Sequence, residues 1–203
     1  MSKTGQHRHL ALPCVLRIPK DKGGITLQYI THYASPLGAI TLASNGTAII
    51  GLWFDGQKYD RSILTPECRE QNLPIFAGTV KWLDCYFAGN EPDFMPELAL
   101  DCSPFRREVL EILTRIPYGQ TTTYGEIAKE IAQKRGLQKM SAQAVGGAVG
   151  YNPISLLIPC HRVIGSGGNL TGYGGGVQRK MALLKLEKVN TEGLFIPKKG
   201  TAL

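Results

Sequence analysis

No apolar run in this 203-residue chain approaches the roughly 20 residues that a membrane-crossing helix needs, which argues against an integral membrane protein. The first residues also read as a poor secretory leader. The short apolar stretch at residues 10–16 is split by Pro13 and follows His7, Arg8 and His9, so residues 1–24 read as a flexible N-terminal extension. Cysteine is sparse, with five residues at positions 14, 68, 85, 102 and 160. The number is odd and no C-x-x-C occurs, which excludes a disulfide framework and fits a reducing cytoplasm. Cys14, His7, His9 and His32 lack ligand spacing, so no metal is assigned. The glycine-rich stretch 165–176 has neither a Gly-Lys-Ser/Thr ending nor a preceding strand, so it is not a phosphate-binding loop. In a cytoplasmic protein the glycosylation-like Asn169-Leu170-Thr171 is a chance match.

What remains is an ordinary globule, 43% hydrophobic and 19% charged, long enough for one large domain or two small ones. Its charge is unevenly spread. Residues 1–100 carry nine Lys/Arg against nine Asp/Glu, whereas residues 101–190 carry twelve against six. A neutral half beside a basic half fits a polyanion-binding surface on the second, or simply a solvated basic face.

The pattern changes with the charge. Residues 25–56 read as β-structure, with Asn45-Gly46 between two apolar runs as a strong hairpin signal. Residues 59–72 are polar, a loop or short helix. Phe76, Val80, Leu83 and Phe87 keep helical spacing after Pro74. Residues 90–100, rich in proline, read as a linker. Beyond it, Ser103 can cap a helix with Pro104 at its first position, and Thr123 with Glu126 fits a capping box. A turn over Gly136 to Lys139 precedes a small-residue helix from Ser141 to Gly150, the outline of a helix-turn-helix. Gly146 and Gly147 cost this helix about 1 kcal/mol each against alanine, which close approach of another backbone would explain. A last helix runs from Val177 to about Val189. The expected units are thus 25–95 (α/β), 101–190 (mainly helical) and a tail at 191–203.

The chemistry concentrates at Pro159-Cys160-His161-Arg162. A cysteine attacks as its thiolate, which basic and cationic neighbours favour. Here an imidazole follows the thiol and a guanidinium comes next. The apolar run 154–158 could hold the sulfur in a water-poor site. A buried structural role is the rule for cysteines; it is kept for Cys14, Cys68, Cys85 and Cys102, and the motif reverses it for Cys160.

Gly146, Gly147, Asn152, Pro153 and Pro159-Cys160-His161-Arg162-Val163, followed by Thr171-Gly172-Tyr173-Gly174, resemble the O6-alkylguanine-DNA alkyltransferases. The resemblance spans residues 29 to about 189. It implies a ribonuclease-H-like α/β domain, an antiparallel sheet plus helix, followed by a mainly α domain whose helix-turn-helix meets the minor groove. It implies a single-use reaction without cofactor: the damaged guanine is flipped out and its O6-alkyl group, mainly methyl, passes irreversibly to Cys160. His161 would act as base through a water, Glu187 would orient it, and Asn152 would hold the turn carrying the thiol. Tyr124 would donate to the guanine ring, assisted by Lys180. Tyr173 and Gly174 would close over the base, and the carbonyls of Cys160 and Val163 would accept from its exocyclic amine. Ala142, Gln143 and Gly146 would face DNA, with Arg162 either structural or at the DNA surface. The implied partner is double-stranded DNA containing O6-alkylguanine, with O4-alkylthymine left open, bound by a monomer without a membrane role. Many members carry an arginine where this chain has Gln143, so binding and flipping are expected to persist with altered affinity.

Two other readings compete. Alkyltransferase-like damage sensors replace the cysteine, and the retained Cys160, His161, Asn152 and Glu187 argue against one. A sequence-specific regulator would need base-reading side chains, and Ala142, Ala144 and Ala148 offer few.

Overall fold

The computed structural model describes residues 16–17, 27–58 and 61–197. The N-terminal half is built on an antiparallel meander, β2 (Tyr29–Ser35), β3 (Gly38–Ser44) and β4 (Ile49–Phe54). Its second hairpin closes where Asn45 and Gly46 predict. Asn45 Oδ1 accepts from the amides of Thr47 and Ala48, the local bonding that makes Asn a turn residue.

Short parallel strands widen the meander into one six-stranded sheet, ordered β1-β6-β4-β3-β2-β5. β1 (Leu16–Arg17) pairs with β6 (Leu98–Ala99), which also pairs with β4, while β5 (Arg69–Glu70) pairs with β2. Two expectations are corrected here. Residues 16–17 of the supposed flexible extension are sheet, the rest of residues 1–24 lying outside the described residues. Residues 98–100 of the supposed linker are buried, with Leu98 paired to Leu16 on one side and Ile49 on the other. Two-residue strands carry no periodicity to read; only pairing with distant partners defines them.

Helix α1 (Pro74–Phe87) packs on this sheet. Its buried face is Phe76, Thr79, Trp82, Leu83 and Tyr86. Val80 and Phe87, expected on the apolar stripe, are only half-buried.

The second half holds α2 (Pro104–Leu113), α3 (Tyr124–Lys134), α4 (Ala142–Gly150) and α5 (Val177–Leu186). Ser103 caps α2 by accepting from the Arg106 amide, and Ser141 caps α4 in the same way. At α3 the reciprocal capping box forms, with Thr123 Oγ1 accepting from the Glu126 amide and Glu126 returning the bond to the Thr123 amide. β7 (Thr122–Thr123) and β8 (Val163–Ile164) pair in parallel, tying the start of α3 to the reactive motif.

One apolar core runs through both halves. The segment after α4 extends the sheet beside β4: the Leu52 amide donates to the Pro153 carbonyl at 2.9 Å and the Ser155 amide to the Leu52 carbonyl at 2.9 Å. Within the expected tail, the Phe195 amide donates to the Gly168 carbonyl and the Leu170 amide to the Phe195 carbonyl, so residues 194–196 lie along the glycine-rich loop. Among the described residues no helix is long and apolar enough to cross a membrane.

Candidate active site

Cys160 opens a single 3-10 turn, Cys160–Arg162, between the sheet-bound segment 153–155 and β8. Asn152 builds the approach. Its Oδ1 accepts from the Ile154 amide at 3.1 Å, and its Nδ2 donates to the Ile158 carbonyl at 2.8 Å. One buried amide therefore staples both ends of a loop in which Leu156 adopts a left-handed φ of 68°, a conformation that costs a bulky residue about 1–2 kcal/mol. Leu156, Leu157 and Ile158 are all buried, which holds the strained loop in place.

The thiol is 7% exposed. Burial pushes its pKa up, and the Asn152 side chain, the Lys180 ammonium and two backbone amides oppose that without reversing it. The expectation that neighbouring cationic groups favour the thiolate is therefore corrected: desolvation prevails and the resting sulfur is a thiol. Arg162 gives little help because its charge is already spent on Glu187.

His161 is fully buried. Its Nε2 lies 2.7 Å from Glu187 Oε1, and its Nδ1 is buried without a hydrogen-bond partner. Beside an ionised carboxylate Nε2 carries the proton, leaving a lone pair on Nδ1. Burial lowers the imidazole pKa, more than Glu187 raises it. Burial also works against ionised Glu187, but His161 and Arg162 outweigh it and hold the carboxyl far below its ordinary range.

Arg162 departs from its DNA-facing assignment. It is 8% exposed and turned inward, with Nε donating to Glu187 Oε2 at 2.8 Å, Nη2 to Oε1 at 3.0 Å and Nη1 to the Ile116 carbonyl at 2.7 Å. It forms a fork on a carboxylate, in line with the structural alternative. Gly119 completes this end: its amide donates to Glu187 Oε2 at 3.2 Å, at φ 73° and so close to the Glu187 carbonyl that a side chain would collide.

Tyr124, which also feels Cys160, donates to the carbonyls of Thr171 and Gly172 at 3.2 and 3.4 Å. Gly172 has φ 84°, and a Cβ there would lie 2.4 Å from the Tyr124 hydroxyl, so only glycine lets the loop cross this ring. Burial and the nearby Cys160 raise the Tyr124 pKa, which keeps it a proton donor. Lys180 is completely buried and donates to the carbonyls of Val163 at 2.5 Å and Thr171 at 2.9 Å. Val163, expected to accept from the base, already accepts from this lysine. Burial lowers the Lys180 pKa to about 8. Tyr173 is buried with its ring edge toward His161, centroids 6.4 Å apart. The Gly174 carbonyl accepts from the Lys58 amide of the N-terminal half at 3.0 Å.

The outer face of α4 presents Ala142, Gln143, Ala144 and Gly147 to solvent. Gly146 departs from its expected place there. It is half-buried, with the Tyr124 ring 3.8 Å from where its Cβ would stand, and Ala148 likewise points inward. Small residues on this helix thus serve two surfaces: Gly146 admits Tyr124, and Gly147 leaves open space outside. His32 lies on β2, its Nδ1 3.2 Å from Thr41 Oγ1. Among the described residues no group of three or more His, Cys, Asp or Glu could hold a metal.

One participant had no sequence signal. The Tyr86 hydroxyl donates to Glu187 Oε1 at 2.8 Å and stands 3.3 Å from His161 Nε2. The i, i+4 pair Trp82 and Tyr86 on α1 marks an aromatic face, but nothing local says what it meets.

Both halves of the chain are similar to known proteins. Residues 28–101 match the family model for the ribonuclease-like domain of 6-O-methylguanine DNA methyltransferase, and residues 104–189 that for its DNA binding domain. A methylated-DNA–protein-cysteine methyltransferase of Mycobacterium bovis is 46% identical, covering 77% of this chain and 92% of its own length. That of Haemophilus influenzae is 37% identical, covering 81% and 89%. The crystal structure of Mycobacterium tuberculosis OGT in complex with DNA superposes with a TM-score of 0.69 at 42% identity, covering 79% of this chain and 92% of that one. The buried Cys-His-Glu array and these matches together place the chain in the 6-O-methylguanine DNA methyltransferase family, DNA-binding repair enzymes that transfer methyl groups from DNA to a protein cysteine.

Proposed function

We propose that this chain reverses alkylation damage by moving the O6-alkyl group of guanine, chiefly methyl, from double-stranded DNA onto its own Cys160. The base is flipped out from the minor-groove side, and each molecule acts once. The observation that carries this reading is a buried imidazole, next in the chain to Cys160, whose Nδ1 has no hydrogen-bond partner and whose Nε2 is held by a buried carboxylate.

The step needs a soft, desolvated nucleophile aimed at a saturated carbon. The thiol proton leaves to His161 Nδ1 through a water, and the resulting imidazolium sits against Glu187. Sγ then forms a bond to the alkyl carbon while the carbon–O6 bond breaks, and its electron pair passes into the guanine ring. Tyr124 donates to the ring as that charge develops. To do so its hydroxyl exchanges the Thr171 and Gly172 carbonyls for the base. Lys180 holds β8 and the glycine-rich loop together beneath the base, and Tyr173 with Gly174 forms the cover. The thioether has no leaving group for reversal, so transfer ends the molecule's activity. Flipping costs a few kcal/mol, less for a damaged base that pairs poorly. On α4, Gln143 is the exposed side chain placed to fill the gap. It can hydrogen-bond there but brings no charge.

Intact-protein mass measurement after incubation with an oligonucleotide duplex containing O6-methylguanine tests this. One added methyl per chain, mapped to Cys160 and stopping at one equivalent, is expected. An unchanged mass with tight, alkyl-dependent binding would replace the transferase reading by damage sensing.

A further inference from the structure

Five donors converge on the fully shielded carboxylate of Glu187. Oε1 accepts from His161, Tyr86 and Arg162, and Oε2 from Arg162 and Gly119. Tyr86 alone comes from the N-terminal half, 101 residues away in sequence. Its ring is locked: it stacks on Trp82 at 5.2 Å and meets Phe87, Tyr118 and His161 edge-on.

We propose that Tyr86 is a positioning residue for alkyl transfer, its hydroxyl fixing the Glu187 carboxylate against His161 so that the N-terminal half supplies part of the reactive centre. This rests on the reading of Cys160, His161 and Glu187 as the transfer machinery. His161 Nε2–H and the Tyr86 O–H both point at Oε1, at 2.7 and 2.8 Å. These two donors, the shortest of the three on Oε1, therefore compete for the charge of one oxygen. Each bond from tyrosine weakens the hold of that oxygen on the imidazole proton and fixes the plane of the carboxylate, hence the direction of the ring. Arg162 spreads its two bonds over both oxygens, Nη2 on Oε1 and Nε on Oε2, whereas Tyr86 bonds only the oxygen that His161 uses.

His161 is faced by Glu187 and Lys180 from α5 and its end, Arg162 and Cys160 from its own turn, Tyr173 from the glycine-rich loop and Tyr86 from α1. Of these, Tyr86 can lose its polar atom while its packing stays. Without the hydroxyl, Glu187 holds an imidazolium more tightly and His161 becomes more basic. Its neutral, proton-accepting form then disappears at a higher pH.

The test is single-turnover methyl transfer from an O6-methylguanine duplex by full-length Tyr86→Phe, followed across pH. The rate constant is expected to fall about 10-fold, the effect of one hydrogen bond to a charged group. The acid limb of its profile should move up by roughly half a pH unit, with DNA affinity unchanged. Trp82→Phe, which disturbs the stack and keeps the hydroxyl, should lower stability and leave the acid limb in place. An unchanged rate and profile in Tyr86→Phe overturns the proposal, and so does a slower rate with an unmoved acid limb, because packing alone would produce that. Failure of the wild-type protein to methylate Cys160 instead overturns the underlying transferase reading. Should Tyr86→Phe not fold, proton NMR of the wild-type protein decides: a slowly exchanging Tyr86 hydroxyl cross-relaxing with the His161 Nε2 proton supports the role, and a rapidly exchanging one removes it.

Discussion

Cys160 and Glu187 are both buried, and one imidazole separates them, yet their surroundings are opposites. Around Glu187 both oxygens accept hydrogen bonds, from Arg162, His161, Tyr86 and Gly119, and the group stays ionised in spite of burial. Around Cys160 apolar packing dominates, the polar help is weaker, and burial wins, so the thiol keeps its proton. A buried charge survives only where its partners are already in place. In the proposed transfer reaction, the carboxylate end of the array is thus charged beforehand and the thiol end is neutral. This contrast teaches that motif proximity is a poor guide to electrostatics: Arg162 is two residues from the thiol but serves the carboxylate.

Removing the neutral end altogether should have the largest effect. Cys160→Ala is expected to abolish methyl transfer while retaining binding to alkylated duplex, read by intact mass and by fluorescence anisotropy. Breaking the charged end comes next. Glu187→Gln leaves the Arg162 guanidinium buried without its carboxylate, which should cost about 3–5 kcal/mol in denaturant unfolding, and should slow transfer at least 100-fold through loss of the histidine's orientation.

Lys180 sharpens the comparison, because it is a buried cation supported only by carbonyls. Its folded pKa of about 8 lies below the ordinary value of 10.5. The unfolded chain therefore binds more protons between those values, and stability from this site rises as pH increases from about 8 toward 10. Below pH 8 both states are protonated and the penalty is constant. Lys180→Met should remove that rise, up to roughly 3 kcal/mol across the window, as seen by comparing unfolding free energies of the two proteins at each pH. The smallest effect should lie outside both pockets. Gln143→Arg on the exposed face of α4 should tighten DNA binding a few-fold and steepen the salt dependence by about 0.9 in log–log slope, without moving the pH dependence of transfer.

Local signals carried much of this architecture. The Asn45-Gly46 turn, the Thr123–Glu126 capping box, the Ser103 and Ser141 caps and the start of α1 at Pro74 are each decided by bonds within four residues. The Cys-His pair was equally visible because its members adjoin in the chain. β1, β5 and β6 were not, since two residues of strand are defined by the strand beside them. Nor was the inward turn of Arg162, whose partners Ile116 and Glu187 lie 46 and 25 residues away. Gly146 and Gly147 looked alike in sequence, and only the packing of Tyr124 on one of them tells inside from outside.

The sequence by itself determined the candidate nucleophile, the helix-turn-helix and the division into a neutral β-rich half and a basic helical half, because hydrogen-bonding turns, caps and charge are properties of near neighbours. Only the tertiary structure decided which groups are charged where they stand. That depends on desolvation and on partners drawn from far along the chain: the Glu187 carboxylate is fixed by residues between positions 86 and 162, and the Cys160 thiol by the absence of such company.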